Sequence, residues 1–97
     1  MRKQYFTYIL ASKPHGVLYV GVTDNLAKRG DQHREGAMQS FTHKYYVHRL
    51  VYYEAYDNPE DAIRREKNIK AWKRDWKIQL VESVNPEWQD LSKTLLD

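Results

Sequence analysis

Two short runs near the start of the chain, QYFTYILA (4–11) and VLYVGV (17–22), are dense in β-branched and aromatic residues, and SKPHG between them carries Pro14 and Gly16. That pattern predicts a β-hairpin. With the loop symmetric about SKPH, Ala11 falls opposite Gly16 and Tyr8 directly opposite Tyr19. Thr23 or Asp24 can cap a helix running from about Asn25 to Glu35, which Gly36 can end. After the connection AMQSFTHKYY, HRLVYYEAY (48–56) reads as a third strand. Asp57-Asn58-Pro59-Glu60 is a strong helix start, with an Asn cap, proline in the first turn and acids at the positive end. The helix it opens runs to about Trp72 or beyond, RDWKIQLVES (74–83) continues as helix, either directly or after a kink, and NPEWQDLSKTLL closes with another capped turn. The order β-β-α-β-α-α describes one small α+β domain over residues 1–97, with a three-stranded antiparallel sheet flanked by helices.

The polar positions that break this pattern are the informative ones. At 100° per residue, Leu26, Gly30, His33 and Ala37 share one face of the helix after the hairpin, with Arg29 one step round from His33. That helix has almost no large apolar residues, and Gly30 costs about 1 kcal/mol in a helix interior relative to alanine, so close backbone approach is expected there. Either Arg29 and His33 line a polar site beside the tyrosines, or they extend to the surface. Glu66 falls among Ala62, Ile63 and Ile69 on the stripe that must face the protein. An unpaired carboxylate is expensive to bury, so Arg29, Lys70 or a divalent ion should answer it. A single carboxylate with waters and a substrate phosphate is a common way to hold Mg²⁺; a structural salt bridge is the other reading. Tyr8 and Tyr19 can be an ordinary cross-strand pair, or a phenol can act as general acid or base once a neighbouring cation lowers its pKa.

Composition narrows the partner class. The chain has 97 residues, 41% hydrophobic and 30% charged, which suits a folded domain with a modest core. It has no cysteine, so disulfides and thiolate metal sites are excluded. No apolar run approaches a membrane span, and Met1-Arg2-Lys3-Gln4 leads straight into a strand-like segment, so a cytoplasmic protein without membrane contact is expected. Net charge is only +3, but Arg64, Arg65, Lys67, Lys70, Lys73 and Arg74 fall within eleven residues with one acid, Glu66, among them. Such clustering is the footprint of a polyanion binder, and also of a solvated helix face. His43 and Lys44, in SFTHKYY, lie in a connection where they can meet phosphate. The histidines His33, His43 and His48 match no standard zinc spacing. Asn85, before Pro86, is most simply a helix cap.

Taken in order, YIL (8–10), YVG (19–21) beginning eleven residues after Tyr8, Arg29 and His33 on the next helix, Glu66 in the middle of the long helix and a late Asn85 form a set that resembles the GIY-YIG nuclease superfamily. The resemblance covers nearly the whole chain. In overall look, LVYYEAYDNPEDAIRREKNIKAWKR included, it is similar to small standalone bacterial members labelled by analogy with the N-terminal domain of the excinuclease C subunit. The resemblance implies a GIY-YIG-like fold and hydrolysis of DNA phosphodiester bonds with one Mg²⁺ or Mn²⁺ ion, by an endonuclease linked to DNA repair or recombination. Under it, Glu66 holds the metal; Tyr8 takes or relays the proton of the attacking water, with Tyr19 hydrogen-bonded nearby. Arg29 neutralises charge on the phosphorane oxygens, His33 orients or deprotonates the nucleophile, and Asn85 fixes the local network. His43, Lys44 and the basic cluster contact phosphate.

Departures are visible too. The first motif reads Tyr-Ile-Leu, not Gly-Ile-Tyr; Val22 stands where excinuclease relatives often carry lysine; and Gly30 follows the arginine. With no helix-hairpin-helix or zinc finger following, such a domain is expected to need a protein partner for targeting or to act on branched or nicked DNA. Two rivals stand beside the enzyme: a catalytically silent nucleic-acid-binding module of the same fold, and a purely structural interaction domain.

Overall fold

In the computed structural model, which describes residues 3–26 and 47–92, the strands β1 (Tyr5–Ala11), β2 (Leu18–Thr23) and β3 (Arg49–Tyr56) form one antiparallel sheet in the order β2-β1-β3. Two helices follow, α1 (Pro59–Ala71) and α2 (Arg74–Val84). Past Leu26, the helix expected from about Asn25 to Glu35 lies outside the described residues. The α+β architecture and the three-stranded sheet are as the sequence pattern predicts.

The hairpin register is not. Tyr8 pairs with Gly21, Leu10 with Tyr19 and Ala11 with Leu18, a shift of two residues from the symmetric loop. The cause is the turn. Gly16 donates its N–H to the Lys13 carbonyl (2.9 Å), and Ser12 and Val17 close a wider loop around it, through Ser12 N–H to the Val17 carbonyl (3.0 Å) and Val17 N–H to Ser12 Oγ (2.9 Å). Pro14 takes the second position of the turn and His15, at φ 60°, the third, which is the type II pattern. Because the shift is even, side-chain parity survives and Tyr8 and Tyr19 stay on one face, as diagonal neighbours rather than opposed ones.

Alternation along the strands sends two apolar sets to opposite faces. On one, Ile9, Ala11 and Val20 pack with Ile69 of α1, Val81 of α2 and Trp88. On the other, Tyr8, Leu10 and Leu50 pack with Leu26 and Val47. Both helices therefore cover the first face. Asn58 caps α1 by accepting the Asp61 N–H (2.9 Å), and Thr7, wholly buried, donates its hydroxyl to the Ala62 carbonyl at 2.7 Å. RDWKIQLVES is helical as expected, and the kink before it is a full break: Trp72 and Lys73 are both extended (ψ 153° and 151°), so the chain turns between α1 and α2.

Residues 85–92 cover the start of the outer edge of β3, at residues 49–51. Leu91 donates its N–H to the Leu50 carbonyl (2.7 Å), Asp90 Oδ1 accepts from Leu50 N–H (3.3 Å) and Arg49 reaches the Trp88 carbonyl (2.9 Å). A sheet edge left open invites foreign strands; here that stretch is covered. β3 bulges where Ile9 pairs with Tyr52 and Leu10 with Leu50, and the Val51 carbonyl freed by that irregularity accepts from Asn85 Nδ2 at 3.0 Å.

Candidate nuclease site

Gly21 decides how the two motif tyrosines meet. It sits opposite Tyr8, and a Cβ built on it would lie 2.5 Å from the Tyr8 hydroxyl and 3.0 Å from Tyr19 Cε1. The Tyr8 ring therefore lies across the glycine toward β2, and the two rings stand with centroids 6.3 Å apart at 39°. Tyr8 is 1% exposed, so its place is set by packing and not by solvent. Gly21→Ala is expected to push the Tyr8 hydroxyl out of position. If the phenol takes part in chemistry, cleavage should fall about 100-fold, as misplacements of about 1 Å can do, while the fold survives. Wild-type cleavage rates in that variant would remove Tyr8 from the site.

Glu66 belongs to α1, on the other layer. Its side chain is 18% exposed and pairs with Lys70 at 3.1 Å, whereas Ile63, expected beside it on the buried stripe, is 42% exposed. The inward positions of α1 are thus Ala62, Arg65, Glu66 and Ile69, two of them charged. Glu66 offers hard oxygen donors at a sheltered but reachable place, which fits a Mg²⁺ or Mn²⁺ ion completed by waters and phosphate. Among the described residues no three His, Asp or Glu side chains cluster as a metal cage.

The basic cluster divides. Arg64 and Lys67 are exposed, Arg64 pairing with Asp61 (3.3 Å), and Lys70 is shared with Glu66. Lys73 is exposed at the junction. Arg74 instead donates to the carbonyls of His15 and Gly16 (2.6 Å each), pinning the hairpin loop to α2. Arg65 is committed to Glu54 through Nε (3.0 Å) and Nη2 (3.1 Å) and lies over the Trp72 ring at 5.0 Å. Both guanidiniums thus carry internal contacts, Arg74 through Nη2 and Arg65 through Nε and Nη2, and each keeps further N–H donors. Asn85 is 5% exposed with its amide spent inside the fold: Nδ2 serves the Val51 and Gln89 carbonyls and Oδ1 accepts the Gln89 N–H. It is the C-cap of α2 and a brace for the β3 edge. Arg29, His33, His43 and Lys44 lie outside the described residues.

A buried polar cluster escaped the sequence reading. Glu54 accepts hydrogen bonds from the phenols of Tyr52 and Tyr56 as well as from Arg65. The signal was present as Tyr-x-Glu-x-Tyr, three residues on one face of β3, with an arginine on the facing helix. Burial alone would raise the Glu54 carboxyl, but Arg65 and the two phenols outweigh it and hold the group below its usual value. Burial, then the hydrogen bond to Glu54, pushes the Tyr56 phenol up to about 12 and raises Tyr52 further.

The linkage follows from the signs. A carboxyl lowered in the folded state contributes stability that is fully present above its unfolded pKa, about 4.3, and is lost as pH falls through the folded value. The raised phenols contribute below about 10 and lose that contribution as pH climbs through 12. Urea midpoints should therefore drop on both flanks of neutrality, and Glu54→Gln should flatten the acid flank. An unchanged acid flank in that variant would show that the carboxylate carries no such linkage.

Residues 4–79 match the GIY-YIG catalytic domain family. A UPF0213 protein of Clostridium perfringens is 34% identical over 90 residues, spanning 93% of this chain and 96% of that protein. A UPF0213 protein of Pseudomonas aeruginosa is 35% identical over 82 residues, 84% of this chain and 78% of the other. Among solved structures, the solution NMR structure of a UPF0213 protein from Bacillus halodurans superposes with a TM-score of 0.56 at 29% identity, covering 93% of this chain and 95% of that one.

Proposed function

Since the chain belongs to the GIY-YIG family, we propose that it is a metal-dependent endonuclease that hydrolyses DNA phosphodiester bonds, with branched or nicked DNA as substrate and a role in DNA repair or recombination. The observation that carries the reading is the Tyr8 ring laid over Gly21 beside Tyr19. A glycine stands where any side chain would displace a phenol, and that phenol keeps the motif spacing to Tyr19.

The tyrosines and Glu66 come from opposite faces of the sheet, and α1 packs across all three strands; on this reading the substrate bridges them around the edge of the sheet. There Tyr8 accepts or relays the proton of the attacking water and Tyr19 supports its orientation. Arg29 and His33 complete the site, by neutralising the phosphorane oxygens and aligning the nucleophile. Glu66 would hold Mg²⁺ or Mn²⁺, which would polarise the scissile phosphate and steady the leaving oxygen. Lys70 pairs with the same carboxylate at 3.1 Å. Asn85 acts at a distance, by bracing β3. Arg64, Lys67, Lys70, Lys73, His43 and Lys44 supply the phosphate contacts.

The test is cleavage of supercoiled, single-stranded, flapped and four-way-junction DNA with Mg²⁺ or Mn²⁺, each against a chelator control. Metal-dependent cutting of branched or nicked forms supports the reading. Salt-sensitive binding without cutting on any substrate would identify a silent binding module.

A further inference from the structure

Arg64, Lys67, Lys70 and Lys73 recur at three-residue intervals, each exposed. The row passes Glu66 on α1, and the next position in the same count is Trp76, the largest exposed apolar side chain, with 55% of its surface in water. Trp76 walls a groove of about 300 Å³ with Trp72, Gln79, Leu80 and Ser83. Trp72 meets it edge-on, centroids 6.0 Å apart at 73°, and is itself backed by the Arg65 guanidinium that Glu54 holds. One edge of the indole is thus braced by a fixed stack while its bulk stays open. Gln79 offers an amide, and the Ser83 hydroxyl, donating to the Leu80 carbonyl, keeps acceptor capacity. Lys73 and Lys77 stand near Trp76 in the chain against one acid, Asp75, so the local charge favours an anionic ligand.

We propose that Trp76 is a stacking platform for an unpaired base of the DNA strand handled at the Glu66 site, with Lys70 and Lys73 carrying the phosphates between. A flat π surface beside a run of cations is the construction that binds single strands without reading their sequence, because every base has a π face. Along α1, Glu66 and the helix end at Ala71 are about 7.5 Å apart at 1.5 Å per residue, and Trp76 follows beyond the turn. The inference rests on the nuclease reading and narrows its substrate to DNA with a single-stranded portion.

The experiment measures binding of the full chain, in chelator at fixed salt, to a labelled oligothymidylate and to an abasic oligomer of equal length with the same phosphates. Trp76→Ala should weaken oligothymidylate binding by at least about fivefold, Trp76→Phe should recover most of it, and the abasic oligomer should bind all three proteins alike. Equal oligothymidylate affinity in Trp76→Ala overturns the platform, as does equal loss of the abasic oligomer. A concentration-dependent dimer that Trp76→Ala disperses without touching DNA affinity would overturn it in favour of self-association. The nuclease reading is judged separately. Cutting with unaltered Trp76→Ala affinity keeps the enzyme and loses the platform, whereas Trp76-dependent binding without cutting keeps the platform as a binding site and loses the enzyme.

Discussion

Glu66→Gln is expected to lower metal-supported cleavage by at least about 10³-fold, since holding an ion at the transition state supplies several kcal/mol and each 1.4 kcal/mol is tenfold. DNA binding should be unchanged or stronger, because a negative charge facing phosphate is removed while Lys70 is released. Folding should barely change: the pair being lost is half in water on its lysine side, and such pairs contribute about 0–1 kcal/mol. The two readouts separate chemistry from binding, so single-turnover rates and affinities belong on the same preparation. Charge reversal at Arg64 and Lys67 is the complement, weakening binding without a specific loss of the chemical step. Unchanged cleavage by Glu66→Gln would remove the metal assignment and with it the central residue of the site.

The largest effect on stability is expected at Trp88. The ring is 2% exposed; its Nε1 donates to Glu82 (2.8 Å) and it stacks on His15 with centroids 5.0 Å apart, while His15 pairs with Glu82 at 3.0 Å. Two residues with positive φ, His15 at 60° and Trp88 at 56°, therefore lean on each other. Neither has the freedom of glycine, so packing must hold both in place. Trp88→Ala should cost about 3–5 kcal/mol, a large share of the roughly 5–15 kcal/mol that a small domain has in all. A urea midpoint within about 1 kcal/mol of wild type would show that the indole is not the keystone its burial implies.

The elements that hydrophobic alternation and caps announce, β1, β2, β3 and the Asn58-capped α1, are where the sequence was most legible. Pattern reading failed where one residue took an uncommon backbone state. His15 in the left-handed region widened the hairpin loop and moved Tyr8 from Tyr19 to Gly21. Nothing in residue type announces that conformation for a histidine, which owes it to Pro14 before it and to contacts with Glu82 and Trp88 far along the chain. On α1 the wheel assigned Ile63 to the interior because it is apolar, yet Arg65 took an inward position once Glu54 was there to receive it. The break between α1 and α2 has no proline or glycine to mark it. For the site, spacing singled out Tyr8, Tyr19 and Glu66, while Gly21, opposite Tyr8, is the residue that explains how the two tyrosine rings lie.

The covering of the start of β3 by residues 85–92 also bears on how the molecule forms. Its bonds join positions 34 to 41 apart, so they cannot help nucleate the sheet; loops of that length must first be closed at an entropic cost. β1 can zip to β2 through a short loop, whereas the outer side of β3 is completed late. Stability is therefore gained in a final concerted step, and the Leu50 amide should exchange its hydrogen only through global opening, while the cap of α1 exchanges through local fraying.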